Sequence, residues 1–386
     1  KSIYGKYTAE HILKECGGRI EQIMTQSGGF AASYGDDEFI GVLLTEDGKD
    51  DGIQQAARNI ISYCSDTYHV EQKALVVTMN VGIACYPDDT GSQEELIRDA
   101  EMAMLQSRKT GFNTVFRYDS RTGENMKKQE LLGLQLKKVD YKKDFYLLYQ
   151  PQVRCSDGVM IGVEALLRWK APDGAVISPL DFIPLAEENG MIIPLGYWIM
   201  ETAARQLAEW KNCGMSGIRM AVNVSSKQLL DERFADILDE ILTRYEIHEG
   251  EFEIEITESV QLENNTELNR MLQEIRERGV SIAMDDFGTG YSSLHYLTRM
   301  PISRIKIAKE LVDRIETDVY SRSVVQMMAS VAQVNQISVI AEGVETQPQW
   351  EALMEFNCDE IQGFFFARPL APDAVARMYQ DSRDRR

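Results

Sequence analysis

From Phe145 to Gln380 the chain repeats one rhythm, an apolar strand-like run followed by an amphipathic helix-like run, and this rhythm constrains the fold more than any other feature. The strand candidates are FYLLYQ, MIGVEALLRW, IRMAVNV, FEIEIT, VSIAMD, RIKI, ISVIAE and EIQGFFF, mostly separated by helical segments such as DFIPLAEENG and PLGYWIMETAARQLAEWKNCG. Eight strands over roughly 235 residues is the size of a TIM-like (β/α)8 barrel. One connection departs from the pattern. PQVRCSDGV is shorter than the crossover of about a dozen residues that parallel neighbours need, and Asp157-Gly158 is a turn signal. The first strand is therefore expected to run antiparallel to the second.

In such a barrel the reactive groups gather at the C-terminal ends of the strands. Polar residues stand there in or just after the apolar runs: Glu164, Asn223, Glu255, Asp285 with Asp286, Lys306, Glu342 and Gln362. Singly, each has a plain structural explanation. Asn223 could cap a helix, and Glu255 or Lys306 could lie on the solvent side of an alternating strand. Together they form a set that converging carboxylates cannot maintain without cations. Five acids and an amide oxygen, with no histidine or thiolate, suit Mg²⁺ or Mn²⁺. A two-metal site has its ions about 3.5–4 Å apart, a span that a doubled aspartate can serve. The following FGTGYSS is either a mobile loop beside the metals or an ordinary strand-to-helix turn.

Composition narrows the partners. With 61 acidic against 41 basic residues the net charge is −20, which repels nucleic-acid phosphates, so no DNA partner is expected. Six scattered cysteines without a CxxC pair and four histidines without metal spacing fit a reducing cytoplasm. No apolar run approaches the roughly 20 residues of a membrane span and no signal peptide opens the chain, so no membrane contact is expected within it. The abrupt opening KSIYGKYTAEHILKEC suggests a fragment of a longer protein, in which a preceding region could supply a membrane anchor and the input signal.

Residues 1–118 alternate helical and strand patterns and are expected to form a small α/β domain. Residues 119–143 carry Met126, Leu132, Leu136 and Val139 at helical spacing among lysines and glutamates, which predicts a connecting helix. Residues 144–380 would form the barrel.

The motifs GVEALLRW, AVNVSSKQL, EIEITES, AMDDFGTGYSSL, IKI, AEGVET and IQGFFFARPL, in this order, resemble the EAL family of bacterial cyclic di-GMP phosphodiesterases. The resemblance implies metal-dependent hydrolysis of cyclic di-GMP to linear pGpG, with Ca²⁺ inhibitory. It implies that Glu164, Asn223, Glu255, Asp285, Asp286 and Glu342 ligate two metals, with Glu164, Lys306, Glu342 and Gln362 catalytic. Lys306 would hold the attacking water and Gln362 would support the site. Gln150, Arg168 and Asp181 of SPLDFIPLAE would contact the dinucleotide, and Glu258 and Glu345 would anchor loops. A homodimer built near DDFGTGYSS is also implied. One position departs: the family usually reads Lys-x-Asp where this chain has Lys306-Ile307-Ala308. A non-catalytic cyclic di-GMP receptor is the alternative function.

Residues 1–118 are similar to the GGDEF family of diguanylate cyclases, through SYGDDEF, VTMNVGIACYPDD and AEMAMLQSRKTGFN. The signature is degenerate. Asp36 replaces the second glycine and brings bulk and negative charge toward a triphosphate, Tyr4-Gly5 replaces an Asn-Asp pair, and TQSGGFAAS lacks the product-inhibition motif. Roughly 40 residues usual at the start of such a domain are absent. The resemblance thus implies an inactive cyclase domain with a regulatory or structural role, and leaves GTP binding there open.

Overall fold

The computed structural model of the chain describes residues 6–44, 51–70, 73–257, 266–288 and 300–384, and divides it into two compact units, residues 1–131 and 132–386. The first unit runs α1 (Lys6–Gln26), β1 (Phe30–Ser33), β2 (Phe39–Val42), α2 (Asp51–Cys64), β3 (Tyr68–Val70), β4 (Lys73–Leu75), β5 (Val81–Ile83), α3 (Gln93–Thr110) and β6 (Val115–Arg117). Strands β1 and β2 form a hairpin, as do β3 and β4, and β5 pairs in parallel with β6. Cys16, Ile20, Ile23 and Met24 recur on one face of α1, and that face packs on Ile60 and Cys64 of α2 and on Tyr68. The Asp36 segment forms the tip of the first hairpin, where the Tyr34 and Gly35 amides donate to the Glu38 carbonyl at 2.9 and 3.3 Å. Asp36 itself is exposed; Tyr4 and Gly5 lie outside the described residues.

The linking segment divides into α4 (Ser120–Leu136) and a single turn, α5 (Tyr141–Asp144), where the sequence predicts one helix through Lys143. Asp140 accounts for the break: its backbone is extended and its side chain accepts from the Lys142 amide, capping a new turn. Leu132 and Leu136 are buried in the core of the second unit.

That unit begins with β7 (Phe145–Arg154) and β8 (Met160–Lys170), followed by the short β9 (Val176–Ile177), α6 (Pro179–Glu188), α7 (Ile192–Asn212) and β10 (Arg219–Asn223). It continues through α8 (Ser226–Leu229), α9 (Phe234–Arg244), β11 (Phe252–Thr257), α10 (Thr266–Glu277), β12 (Ser281–Phe287) and β13 (Arg304–Ile307). The last elements are α11 (Lys309–Val312), α12 (Val319–Val334), β14 (Ser338–Ala341), α13 (Gln347–Glu355), β15 (Glu360–Gln362) and α14 (Pro372–Asp384). Strands β8, β10, β11, β12, β13, β14 and β15 follow one another in parallel, and β7 closes the barrel by pairing antiparallel with both β15 and β8. The tight connection sets this orientation: Gly158 takes φ 67° and the Asp157 carboxylate accepts from the Val159 amide at 3.1 Å.

Strand β15 stops at Gln362, short of the predicted EIQGFFF run. Gly363 passes so close to the Val344 backbone that a Cβ there would lie 2.0 Å from the Val344 carbonyl oxygen, and the chain turns away. Phe365 and Phe366 then gather on Trp350, with ring centroids 5.8 and 5.3 Å away. Among the described residues no helix is long and apolar enough to cross a membrane.

Candidate active site

Alternate residues of a strand share a face, so each barrel strand sends every second side chain inward. The interior is polar at two successive levels. Toward the N-terminal ends of the parallel strands lie Arg219, Glu253, Arg304 and Glu360, with Gln152 from β7. Two residues further along β11, β13 and β15 lie Glu255, Lys306 and Gln362, joined by Gln150 of β7 and Glu164 of β8.

The lower level is self-paired. Arg219 meets Glu253 at 3.2 Å and Glu360 at 2.6 Å, while Arg304 meets Glu360 at 2.9 Å and also pairs with Glu253. Burial opposes ionisation of Glu360, but the two guanidiniums outweigh it and hold its carboxyl below the usual range. The chain therefore seats two cations against two anions in the buried interior of the barrel.

The upper level holds five carboxylates around one ammonium. Lys306 Nζ lies 2.7 Å from Glu342, 2.9 Å from Glu255, 3.0 Å from Asp285 and 3.8 Å from Glu164. Asn223 donates to Glu164 Oε1 at 2.6 Å, and Gln362 donates to Glu164 Oε2 at 2.6 Å and to Gln150 Oε1 at 3.2 Å. Adjacent residues of a regular strand face opposite ways, yet oxygens of Asp285, Asp286 and Glu342 lie within 4.8 Å of one another. A bulge in β12, where its register against β13 shifts between Met284 and Phe287, supplies the difference, together with φ 55° at Asp286. The doubled aspartate is thus turned so that both carboxylates reach one place.

The electrostatics follow from this crowding. Burial works against the Lys306 ammonium, but Glu164, Glu255, Glu342 and Asp285 outweigh it and hold its pKa well above the usual value. Burial opposes the Glu164 carboxylate as well, and Lys306, Gln362 and Asn223 overcome it, so its pKa is lowered. Burial, then the neighbouring Glu164, holds Glu255 well above the carboxylate range. Glu342 is pushed up to about 7, first by burial, with Lys306 opposing and Asp285 adding to the shift. Asp286 is raised by burial and by Asp285. One ammonium leaves this level anionic. Glu255 Oε1 is buried with no N–H or O–H donor of the described residues directed at it. An all-oxygen donor set with surplus negative charge and an unpaired buried oxygen fits hard divalent cations.

Around this cluster, Gln150 lies opposite Glu164 across the β7–β8 pair, and Arg168 stands four residues along the same face of β8, half-buried. Asp181 lies in the first turn of α6, which is fixed by fully buried Phe182 set edge-on to Trp169 at 5.3 Å. Glu345 pairs with Lys309 at 2.7 Å, and Glu258 lies outside the described residues, as does the loop from Thr289 to Ser293. Ala308 follows the end of β13, is fully buried, and occupies the N-cap position of α11 without a capping side chain. Sequence reasoning missed Gln152, Arg219, Glu253, Arg304 and Glu360. On three strands the signal was available in the charged residue two places before the upper-level one: Glu253 before Glu255, Arg304 before Lys306 and Glu360 before Gln362.

The fold and this site define an EAL domain. The chain belongs to that family, whose model matches residues 136–369, and the diguanylate cyclase GGDEF domain model matches residues 1–114 ahead of it. It is similar to the bifunctional diguanylate cyclase/cyclic di-GMP phosphodiesterase MucR of Pseudomonas aeruginosa, 32% identical over 96% of this chain and 54% of the relative. The cyclic di-GMP phosphodiesterase PdeR of Escherichia coli is 30% identical over 98% of this chain and 56% of its own length. The chain therefore spans about half the length of these curated relatives. A solved structure of the PaMucR phosphodiesterase in complex with c-di-GMP superposes with a TM-score of 0.61 at 35% identity, covering 64% of this chain and 99% of that one.

Proposed function

We propose that the barrel hydrolyses cyclic di-GMP to linear pGpG with two Mg²⁺ or Mn²⁺ ions. The observation that carries this reading is the surplus of carboxylates over cations at the upper level, since a pocket serving only to bind an anionic dinucleotide has no use for five acids. Glu164, Asn223, Glu255, Asp285, Asp286 and Glu342 would hold the ions, which supply charge neutralisation and a more acidic bound water. Asn223 donates its amide nitrogen to Glu164, so the amide oxygen is the atom it has to offer. Lys306, fixed by three carboxylates at hydrogen-bond distance, orients the attacking water. The water oxygen bonds to phosphorus as the water gives up a proton, one phosphoester bond breaks, and the departing ribose oxygen takes up a proton in its place, so that none is gained or lost overall. Arg168 would pair with a phosphate of the dinucleotide, and Gln150 and Asp181 would contact the ligand. Glu345 and Glu258 would anchor the adjoining loops, and a second copy of the barrel would be the partner.

In the first unit, Asp36 at the hairpin tip and Gly5 in place of an acidic residue speak for a domain without cyclase activity that serves regulation. Incubation with GTP and Mg²⁺ is expected to yield no cyclic di-GMP, and product above the no-enzyme level would refute this. Ala308, where the family usually has an aspartate, and the degenerate first unit favour a cyclic di-GMP receptor instead. The test is incubation with cyclic di-GMP and Mg²⁺ or Mn²⁺ followed by chromatography: pGpG appears on the enzyme reading, and intact bound cyclic dinucleotide under both metals overturns it.

A further inference from the structure

We infer that Gln152 is a positioning residue for the hydrolysis, transmitting the fixed orientation of the buried arginine–glutamate layer through Gln362 to Glu164. The inference rests on the phosphodiesterase reading above, and adds a residue in the lower layer that never meets the substrate.

The argument is one of hydrogen-bond polarity. A guanidinium donates and never accepts. Arg219 Nη2 donates to Gln152 Oε1 at 2.7 Å, which commits the oxygen end of that amide. Its nitrogen is the end left for Gln362, and it donates to Gln362 Oε1 at 3.1 Å. The second amide is thereby committed in turn, so its nitrogen points upward and donates to Glu164 Oε2 at 2.6 Å. An isolated glutamine amide has two orientations of nearly equal shape. Here Arg219, itself clamped by Glu253 and Glu360, selects one of them twice in succession. Reversal of Gln362 would set its carbonyl oxygen against the Glu164 carboxylate and turn that side chain away from the orientation Asn223 also supports.

An independent feature of the fold makes room for the relay. Gly162 lies opposite Gln152 in the β7–β8 pair, and a Cβ there would stand 2.8 Å from Gln152 Oε1 and 3.2 Å from the Arg219 carbonyl oxygen. Gln152 is fully buried, so its amide has no open side to retreat into.

The experiment compares the wild-type chain with Gln152→Glu, which keeps an acceptor for Arg219 but has no N–H for Gln362. Three readouts are taken: kcat and KM for cyclic di-GMP, the Kd for Mn²⁺ alone by calorimetry, and the thermal midpoint. The expected result is a roughly 10- to 100-fold loss, the cost of disturbing a partner of a metal ligand, in both kcat and Mn²⁺ affinity, with KM and the midpoint nearly unchanged. The added negative charge alone would tighten Mn²⁺ binding, so weakened binding is diagnostic. In a Gln362→Leu background Gln152→Glu should add no further loss, because both act on one path. Gly162→Ala, which keeps every relay side chain but crowds the Gln152 oxygen, should weaken Mn²⁺ binding in the same direction and serves if the first variant does not fold. Wild-type Mn²⁺ affinity in both variants, or full additivity with Gln362→Leu, overturns the relay. If the wild type makes no pGpG, the hydrolytic reading falls on its own while the Mn²⁺ titrations still decide whether Gln152 positions Glu164.

Discussion

The two polar layers stacked inside the barrel are built from the same strands and lie two residues apart, yet they differ in charge balance. Below, Arg219 and Arg304 meet Glu253 and Glu360, two against two, and every charge has a partner of opposite sign. Above, Lys306 alone faces Glu164, Glu255, Asp285 and Glu342, with Asp286 beside them. A buried charge is tolerated when paired and costs several kcal/mol when not. The lower layer is therefore balanced in charge, whereas the upper one calls for further positive charge. The same fold thus separates structure from chemistry within the rise of two residues.

This comparison can be broken from either side. The largest effect is expected above: Glu164→Ala should lower kcat by at least about a thousandfold, ~4 kcal/mol in barrier, because ion binding and charge neutralisation fail together. Near-normal pGpG production by this variant would show that the upper carboxylates are not the site. Below, Glu253→Ala should cost about 3–5 kcal/mol of stability by leaving two arginines short of a partner. Chemical denaturation measures this, and an unchanged unfolding midpoint would mean the lower layer is not the closed unit described.

A smaller effect concerns pH. Glu342 has its pKa raised from 4.5 to about 7 and Glu255 is also raised, so the folded metal-free chain binds more protons than the unfolded chain in this interval. Stability should then fall as pH rises from 4.5 through about 7, by about 1.4 kcal/mol per pH unit for each carboxyl that stays protonated only in the folded chain. The lowered pKa of Glu164 acts the other way, but below 4.5. Saturating Mn²⁺ should abolish the decline, since the ions bind the deprotonated carboxylates. Melting curves of the metal-free protein that rise over this interval would contradict the crowding argument. The smallest change expected is that of Ala308→Asp, roughly a tenfold gain in kcat with little change in cyclic di-GMP affinity measured in Ca²⁺, as for a residue two places beyond Lys306 that is not itself a proposed metal ligand.

Much of this was legible in the sequence for a physical reason: long-range order in a barrel is carried by repetition. Apolar strands alternating with amphipathic helices announce the eight strands, the short PQVRCSDGV connection forces one reversal, and polar residues at strand ends nominate Glu164, Glu255 and Lys306. What stayed hidden depends on register. The bulge that turns Asp286 beside Asp285 arises from pairing with β13, and the end of β15 at Gln362 arises from the approach of Gly363 to Val344. The helix predicted through Lys143 was misread because an aspartate cap outweighs periodicity at Asp140. The lower layer was overlooked because the search was confined to polar residues at the C-terminal strand ends, whereas Glu253, Arg304 and Glu360 lie two residues earlier on the same inward face.

The central claim is that the upper layer lacks positive charge and takes it from divalent cations. The most direct measurement is calorimetric titration of Mn²⁺ into the metal-free chain at a pH above and a pH below 7. Above 7 the account predicts uptake of two ions per chain; below 7 it predicts weaker uptake with proton release, as Glu342 gives up its proton. No uptake at millimolar Mn²⁺ at either pH would contradict it, since the five carboxylates would then be satisfied by Lys306 and burial alone.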